Sequence, residues 1–285
     1  MSTLPYYLDC RGKLLDLSHA HVVGILNITP DSFSDGGVFL SPHAAVERAR
    51  QMVEEGAAII DVGGESTRPG APVVSAQEEL DRIIPVIEAL SAELPVPISV
   101  DTSKPEVMRA AVAAGAGMIN DVRTLRQTGA LEAAAEINRQ TSIPICLMHM
   151  QGEPGTMQQQ PEYGDVVQEV GAFLAERIQA CIQHGIPRER LVVDPGFGFG
   201  KRLEHNLSLL KHLHELGKLG LPLMVGVSRK SMVGAVLDRP VHQRLYGSLA
   251  AAVLAVSLGA VIVRTHDVRA TVEALKIVEA VKQSP

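Results

Sequence analysis

Eight short runs of apolar, largely β-branched residues recur along the chain, and longer amphipathic stretches separate them. The runs are VVGILN (22–27), AIIDV (58–62), PISVD (97–101), GMINDV (117–122), IPICLMHM (143–150), LVVD (191–194), LPLMVGVS (221–228) and AVIVRT (260–265). Runs this continuously apolar suit parallel strands covered on both faces, which are joined by helices. Intervening segments such as SPHAAVERARQMVEEG and SKPEVMRAAVAAG place apolar residues at helical spacing. Ser41-Pro42 is expected to open one helix, Ser103 with Glu106 to form a capping box on another, and Gly56 and Gly115 to close theirs. Eight such units in 285 residues, with no linker or low-complexity segment between them, predict a single domain over residues 1–285. The expected fold class is α/β, a (β/α)8 TIM barrel, with an open doubly wound sheet as the alternative. Ahead of the first barrel strand, YYLDCRGKLLDLS reads as a short β-hairpin turning at Arg11-Gly12.

A barrel of this kind carries its site at the C-terminal ends of its strands. There the chain places Asn27, Asp61, Asp101, Asn120 with Asp121, His149, Asp194, Ser228 with Arg229 and Lys230, and Arg264 with His266. Polar residues begin most loops, so any one of these positions is ambiguous. Eight successive ends mixing carboxylates, amides and bases predict one pocket, acidic on one side and basic on the other.

Composition narrows what that pocket serves. A net charge of −6, 3% aromatic residues and no tryptophan argue against a nucleic-acid or membrane partner, so an anionic substrate needs a local basic cluster. The uncharged run from Gly247 to Val263 falls short of the ~18–20 residues of a bilayer span, and Gly259 divides it into helix and strand. Cys10, Cys146 and Cys181 form no C-x-x-C pair and are odd in number, which suits a reduced, cytoplasmic compartment, and the N-terminus shows no signal-peptide pattern. His19-Ala-His21 is an extended pair without an evident third metal ligand, and His212 and His214 sit two apart on a helix, off one face.

DPGFGFGKR (194–202) resembles a phosphate loop but fails its rules. A Walker loop would need glycine at Pro195 and Ser or Thr at Arg202, and a G-x-G-x-x-G run from Gly196 ends on Lys201. This motif belongs instead to a longer set: GILNITPDSFSDGG (24–37), DVGGESTRPGA (61–71), SVDTSKPEV (99–107), INDV (119–122), CLMHMQG (146–152), DPGFGFGK (194–201), VGVSRKSM (225–232) and RTHDV (264–268). Together they resemble dihydropteroate synthase, the folate-pathway member of the pterin-binding enzymes, over nearly the whole barrel.

That resemblance implies condensation of 6-hydroxymethyl-7,8-dihydropterin diphosphate with p-aminobenzoate by an alkyl transferase that is typically a homodimer. It implies pterin contacts from Asp101, Asn120, Met148, Asp194, Gly198, Gly226 and Lys230. Asn27, Arg264 and His266 would hold the diphosphate, with Mg²⁺ as cofactor bound near Asn27. The p-aminobenzoate pocket would draw on Phe33, Thr67, Arg68, Pro69, Phe199 and Ser228, the first four carried on two glycine-rich loops over the strand ends. Ser228 is expected at the start of the helix after the seventh barrel strand, where a helix N-terminus favours a carboxylate. Asp101, Lys230 and Arg264 are the expected catalytic residues. Rival readings are a folate-binding methyltransferase of the same superfamily, a Schiff-base aldolase using Lys230, and a non-catalytic pterin-binding module.

Overall fold

The computed structural model describes residues 7–29, 42–67, 70–153 and 155–284. Arg11 and Gly12 both adopt left-handed φ angles, 61° and 83°, as a two-residue hairpin turn requires. They join strands β1 (Tyr7–Cys10) and β2 (Lys13–Asp16) in antiparallel register, Cys10 opposite Lys13.

Each of the eight apolar runs then contributes a parallel strand, in chain order β3 (His21–Asn27), β4 (Ile59–Gly63), β5 (Ile98–Asp101), β6 (Met118–Asp121), β7 (Ile145–Met148), β8 (Leu191–Asp194), β9 (Met224–Val225) and β10 (Ile262–Thr265). Neighbours follow the order β8-β7-β6-β5-β4-β3-β10-β9, and a Val193–Leu223 bridge with Val193 N–H donating to Pro222 O (3.0 Å) brings the ends together. The result is a (β/α)8 barrel with a hairpin ahead of it. Strand β9 is far shorter than its apolar run because Pro222 offers no N–H to a ladder and the chain turns after Gly226.

Around the sheet lie helices α1 (Pro42–Glu54), α2 (Ala76–Glu93), α3 (Pro105–Ala113), α4 (Ala130–Thr141), α5 (Val166–Gln183), α6 (Leu203–Lys211), α7 (Ser231–Leu237), α8 (Leu245–Ser257) and α9 (Val268–Lys282). Their buried faces join the outward strand residues in the largest hydrophobic cluster. Ser75 caps α2 by accepting from Glu78 N–H (3.1 Å), and Asp165 caps α5 through Val167 and Gln168. The expected Ser103–Glu106 capping box is absent. Lys104 is the N-cap of α3, Pro105 takes the first turn, and the Ser103 hydroxyl donates to the buried Asp121 carboxylate instead.

Side chains alternate between the two faces of a strand, which sorts the barrel interior into layers. Near the N-terminal mouth Val23, Ile59, Met118, Cys146, Val192, Met224 and Ile262 pack with Leu8, Cys10, Leu15 and Leu17, so the hairpin plugs that end. Two positions further along the same strands the inward residues turn polar: Asp61, Asn120, Asp194 and Arg264. Polar walls thus stand above an apolar floor at the opposite mouth.

Candidate active site

Strand register brings the polar ends together. Asn27 pairs with Gly63, Gly63 with Asp101, and Asp101 with Asn120, while Met148 pairs with Asp194. Gly63 leaves room between its neighbours, since a Cβ there would lie 3.5 Å from Asp101 Cβ and 3.6 Å from Asn27 Oδ1.

Arg264 binds this arrangement through its guanidinium. Its Nε donates to Asp61 Oδ2 (2.6 Å) and its terminal Nη2 to Asp101 Oδ2 (2.7 Å). Asp267, the carboxylate three residues along the chain from Arg264, pairs instead with Arg229, whose Nε lies 3.0 Å from Asp267 Oδ2. The Asn120 side-chain amide donates to Asp61 Oδ2 (3.2 Å), which leaves the Asn120 carbonyl oxygen as an acceptor for the pocket. Asp61 therefore orients two expected ligand residues. Its own Oδ1 is buried without a hydrogen-bond partner, an acceptor of the kind that an ordered water or ligand donor satisfies. The chain's sequence singles out Asp61 only as one strand-end carboxylate among several.

Burial sets the charges. It drives the Asp101 carboxyl up to about 7; Arg264 opposes the rise, and Asp61, Glu79 and Asp121 add to it. Asp194 is pushed up to about 6 by burial, against the pull of the Gly196 N–H (2.7 Å from Oδ1) and of Lys230. Lys230 is driven down to about 8 by burial and by Arg264. Its Nζ stands 4.2 Å from the centre of the Phe199 ring, a cation–π contact, and its stem lies where a Cβ on Gly198 would come within 3.3 Å. Burial, reinforced by the Arg264 and Arg229 cations and opposed only by Asp267, holds the His266 imidazole down to about 3 and hence neutral. Its Nδ1 sits 3.0 Å from Ser228 Oγ.

Of the residues expected at the site, Asn27, Asp101, Asn120, Met148, Asp194, Gly198, Phe199, Gly226, Ser228, Lys230, Arg264 and His266 all occur at this end of the barrel. Phe199 packs with Met148, Met150, Met157 and Val122 into one apolar wall, whereas Phe197 is core. A Cβ on Gly226 would meet nothing within 4 Å, open space on the pocket side of β9. Ser228 lies in the turn before α7, whose N-cap is Lys230, so the helix-terminus argument for an anion at Ser228 does not hold. Phe33, Arg68 and Pro69 lie outside the described residues; Thr67 is described and half-buried.

Two strand-end residues turn away. Asp121 accepts from Ser103 Oγ and from the Arg123 and Leu125 N–H groups, building the following loop. His149 points to Lys201, Tyr163 and Phe173 on the outer side. His21, the first residue of β3, has its Nε2 2.6 Å from Asp16 O beside the hairpin, at the opposite mouth from the polar strand ends.

Magnesium prefers oxygen ligands and keeps several waters, so it is commonly held by one or two protein oxygens together with substrate phosphates. Among the described residues no group of three or more His, Cys, Asp or Glu could cage a metal. Asn27, half-buried at the end of β3 with its Oδ1 beside Gly63, fits the first arrangement.

Known proteins share this sequence and this fold. A family model described as pterin binding enzyme matches residues 23–266. The chain is 58% identical over 273 residues to the dihydropteroate synthase of Escherichia coli (strain K12), covering 96% of this chain and 95% of that one. It is 52% identical over 273 residues to that of Haemophilus influenzae, covering 96% and 98%. Among solved structures, Yersinia pestis dihydropteroate synthase in a sulfonamide drug complex superposes with a TM-score of 0.93 at 53% identity, covering 98% of this chain and 100% of that one. The Xanthomonas albilineans enzyme in complex with 7,8-dihydropteroate gives 0.89 at 50% identity, covering 98% and 100%. With the strand-end motifs, the barrel and these relatives in agreement, the chain belongs to the pterin-binding enzymes and, within them, to the dihydropteroate synthases.

Proposed function

We propose a division of labour within this pocket for the dihydropteroate synthase reaction, in which the amine of p-aminobenzoate displaces diphosphate from the methylene of 6-hydroxymethyl-7,8-dihydropterin diphosphate. The observation that carries it is the convergence of Asp101, Asn120, Asp194, Lys230 and Arg264 above an apolar barrel floor. The pterin's amino-pyrimidinone edge is rich in N–H donors, and Asp194 accepts from its 2-amino group and N3 while the Asn120 carbonyl accepts beside them. Lys230 donates to the ring's O4 and N5 side, and Met148, Gly198 and Gly226 shape the slot around the ring.

Diphosphate binds on the side of Asn27, Arg264 and His266. The guanidinium matches phosphate oxygens, and neutral His266 offers a ring N–H without adding charge. Mg²⁺, with Asn27 contributing its carboxamide oxygen, would supply charge neutralisation to the leaving group. As the C–O bond to diphosphate breaks, positive charge grows on the methylene and pterin, and the ionised Asp101 stabilises it. The amine nitrogen forms the new C–N bond and then loses its proton. An arylamine is mostly unprotonated at neutral pH, so positioning does most of the work. Phe33, Thr67, Arg68, Pro69, Phe199 and Ser228 would form the p-aminobenzoate pocket.

Exposed apolar residues on α7 and α8 (Val236, Leu237, Tyr246, Leu254) and on the neighbouring α9 (Ile277, Val281) support a homodimer formed through these helices. No described helix is long and apolar enough to cross a membrane, and the buried, unpaired Cys10, Cys146 and Cys181 suit the cytoplasm. Diphosphate release measured with and without p-aminobenzoate tests the assignment. Release should depend on the amine. Release unchanged by omitting it, or none with both substrates, would overturn this reading.

A further inference from the structure

Lys201, which no substrate contact claims, lies only 3% exposed beneath the loop that carries Asp194. Its Nζ has three acceptors: His149 Nδ1 (2.9 Å), Gly196 O (2.9 Å) and Phe199 O (3.0 Å). An ammonium has three N–H bonds, and each finds a partner. Burial pushes the Lys201 ammonium down to about 7, with Asp194 opposing the fall. In its charged form it has no lone pair, so His149 Nδ1 is then the acceptor and the ring proton resides on Nε2. Burial and the Lys201 cation push the His149 imidazole down to about 2, which keeps it neutral.

The loop needs such a clamp. Gly196, Gly198 and Gly200 have φ of 67°, 80° and 59°, and a Cβ on Gly196 would fall 1.9 Å from His149 O. Gly196, gripped by Lys201 at its carbonyl, is also the residue whose N–H holds Asp194 Oδ1 (2.7 Å). His149 completes the circuit, its backbone N–H donating to Asp194 O (2.9 Å) and its ring packing edge-on to Phe173.

We propose that Lys201, oriented by His149, is a positioning residue for the pterin, clamping the 194–200 turn so that Asp194 presents its carboxylate to the ring. This rests on the reading of Asp194 as the pterin acceptor. Calorimetry with 6-hydroxymethyl-7,8-dihydropterin, and separately with magnesium diphosphate, tests both on wild type, Lys201→Met, His149→Leu, His149→Asn and Asp194→Asn. Lys201→Met and His149→Leu should weaken the pterin by about tenfold to a hundredfold and leave diphosphate affinity within about twofold of wild type. His149→Asn, whose Oδ1 stands where Nδ1 stood, should recover most of the loss. If Asp194→Asn loses the pterin while folded Lys201→Met keeps it, the clamp is overturned and the pterin site stands. If Asp194→Asn keeps the pterin, the underlying reading fails first. Equal losses for pterin and diphosphate, or no recovery with His149→Asn, would reduce Lys201 to a fold residue and also overturn the proposal. Should Lys201→Met not fold, the two His149 variants decide.

Discussion

Burial raises the carboxyls of Asp101 and Asp194, to about 7 and about 6, and lowers the Lys230 ammonium to about 8. The proposed chemistry needs both carboxylates ionised and the lysine protonated, so kcat/KM should rise through those two values and fall above the third, a narrow bell. A profile flat between pH 6 and 8 would count against the assignments. The same shifts oppose folding, and the sign follows from proton binding. A carboxyl whose folded pKa lies above the unfolded value of about 4 binds its proton more tightly when folded, so its contribution to stability is lost as pH climbs from about 4 through 7. Lys230 runs the other way, with a folded pKa below the unfolded one of about 10.4, so its penalty fades as pH rises from about 8. Asp194→Asn puts an N–H donor against the pterin's own donors, and pterin binding should weaken by about 2–4 kcal/mol in a titration. A lysine that acts by hydrogen bonding forms no imine. Borohydride treatment with substrate present should therefore leave the protein's mass unchanged, whereas an adduct on Lys230 would favour the aldolase.

The hairpin β1–β2 and the segment before α2 each do a job that their own residues do not announce. Leu15, 5% exposed, belongs to the plug under the barrel floor. Leu15→Ala should cost about 2–5 kcal/mol in denaturant unfolding, with KM for both substrates near wild type, because the polar layer lies above it. Glu65, just after β4, is tied to the barrel by Lys104, whose Nζ meets Glu65 Oε2 (2.6 Å) and Glu79 Oε2 (2.5 Å). Glu79 is fully buried, and its Oε1 has no hydrogen-bond partner. Lys104→Met would strand that carboxylate at a cost of about 3–5 kcal/mol, and Lys104→Met with Glu79→Gln should recover part of it. Glu65 lies in the loop assigned to p-aminobenzoate, so KM for p-aminobenzoate should rise more than KM for the pterin. Equal changes in both would detach this anchor from the second substrate.

For the whole molecule, the apolar face over α7 to α9 makes the assembly state a direct test. Tyr246, 81% exposed, and Leu254, 53% exposed, are large apolar side chains that a monomer has no reason to leave in water together. Tyr246→Glu with Leu254→Glu should shift a dimer to a monomer in sedimentation at micromolar concentration, and the barrel should stay folded because neither residue enters the core. A wild type that sediments as a monomer would refute the dimer.

The eight strands were legible in the residues because each is a continuous apolar run, a pattern that only burial on both faces favours. Hairpin and helix stops were equally local. Arg11, Gly12, Gly56, Gly115 and Gly259 act through their own backbone angles, and all five have positive φ in the fold. The strand-end polar residues could be named for the same reason, since a parallel barrel has one functional end. Direction was another matter. Asp121 and His149 also stand at strand ends, yet alternation turns them outward, one to Ser103 and the other to Lys201. Ser103 looks like a cap until Asp121, 18 residues later, takes its hydroxyl. Arg264 reaches Asp61 and Asp101 across 203 and 163 residues of chain, and the Asp267 three residues away goes to Arg229. Local signals settle where strands, turns and polar ends fall, because backbone propensity and burial act within a few residues. Which charge answers which depends on closing the sheet into a barrel, since only closure brings distant strand ends within hydrogen-bonding range in a buried, low-dielectric space.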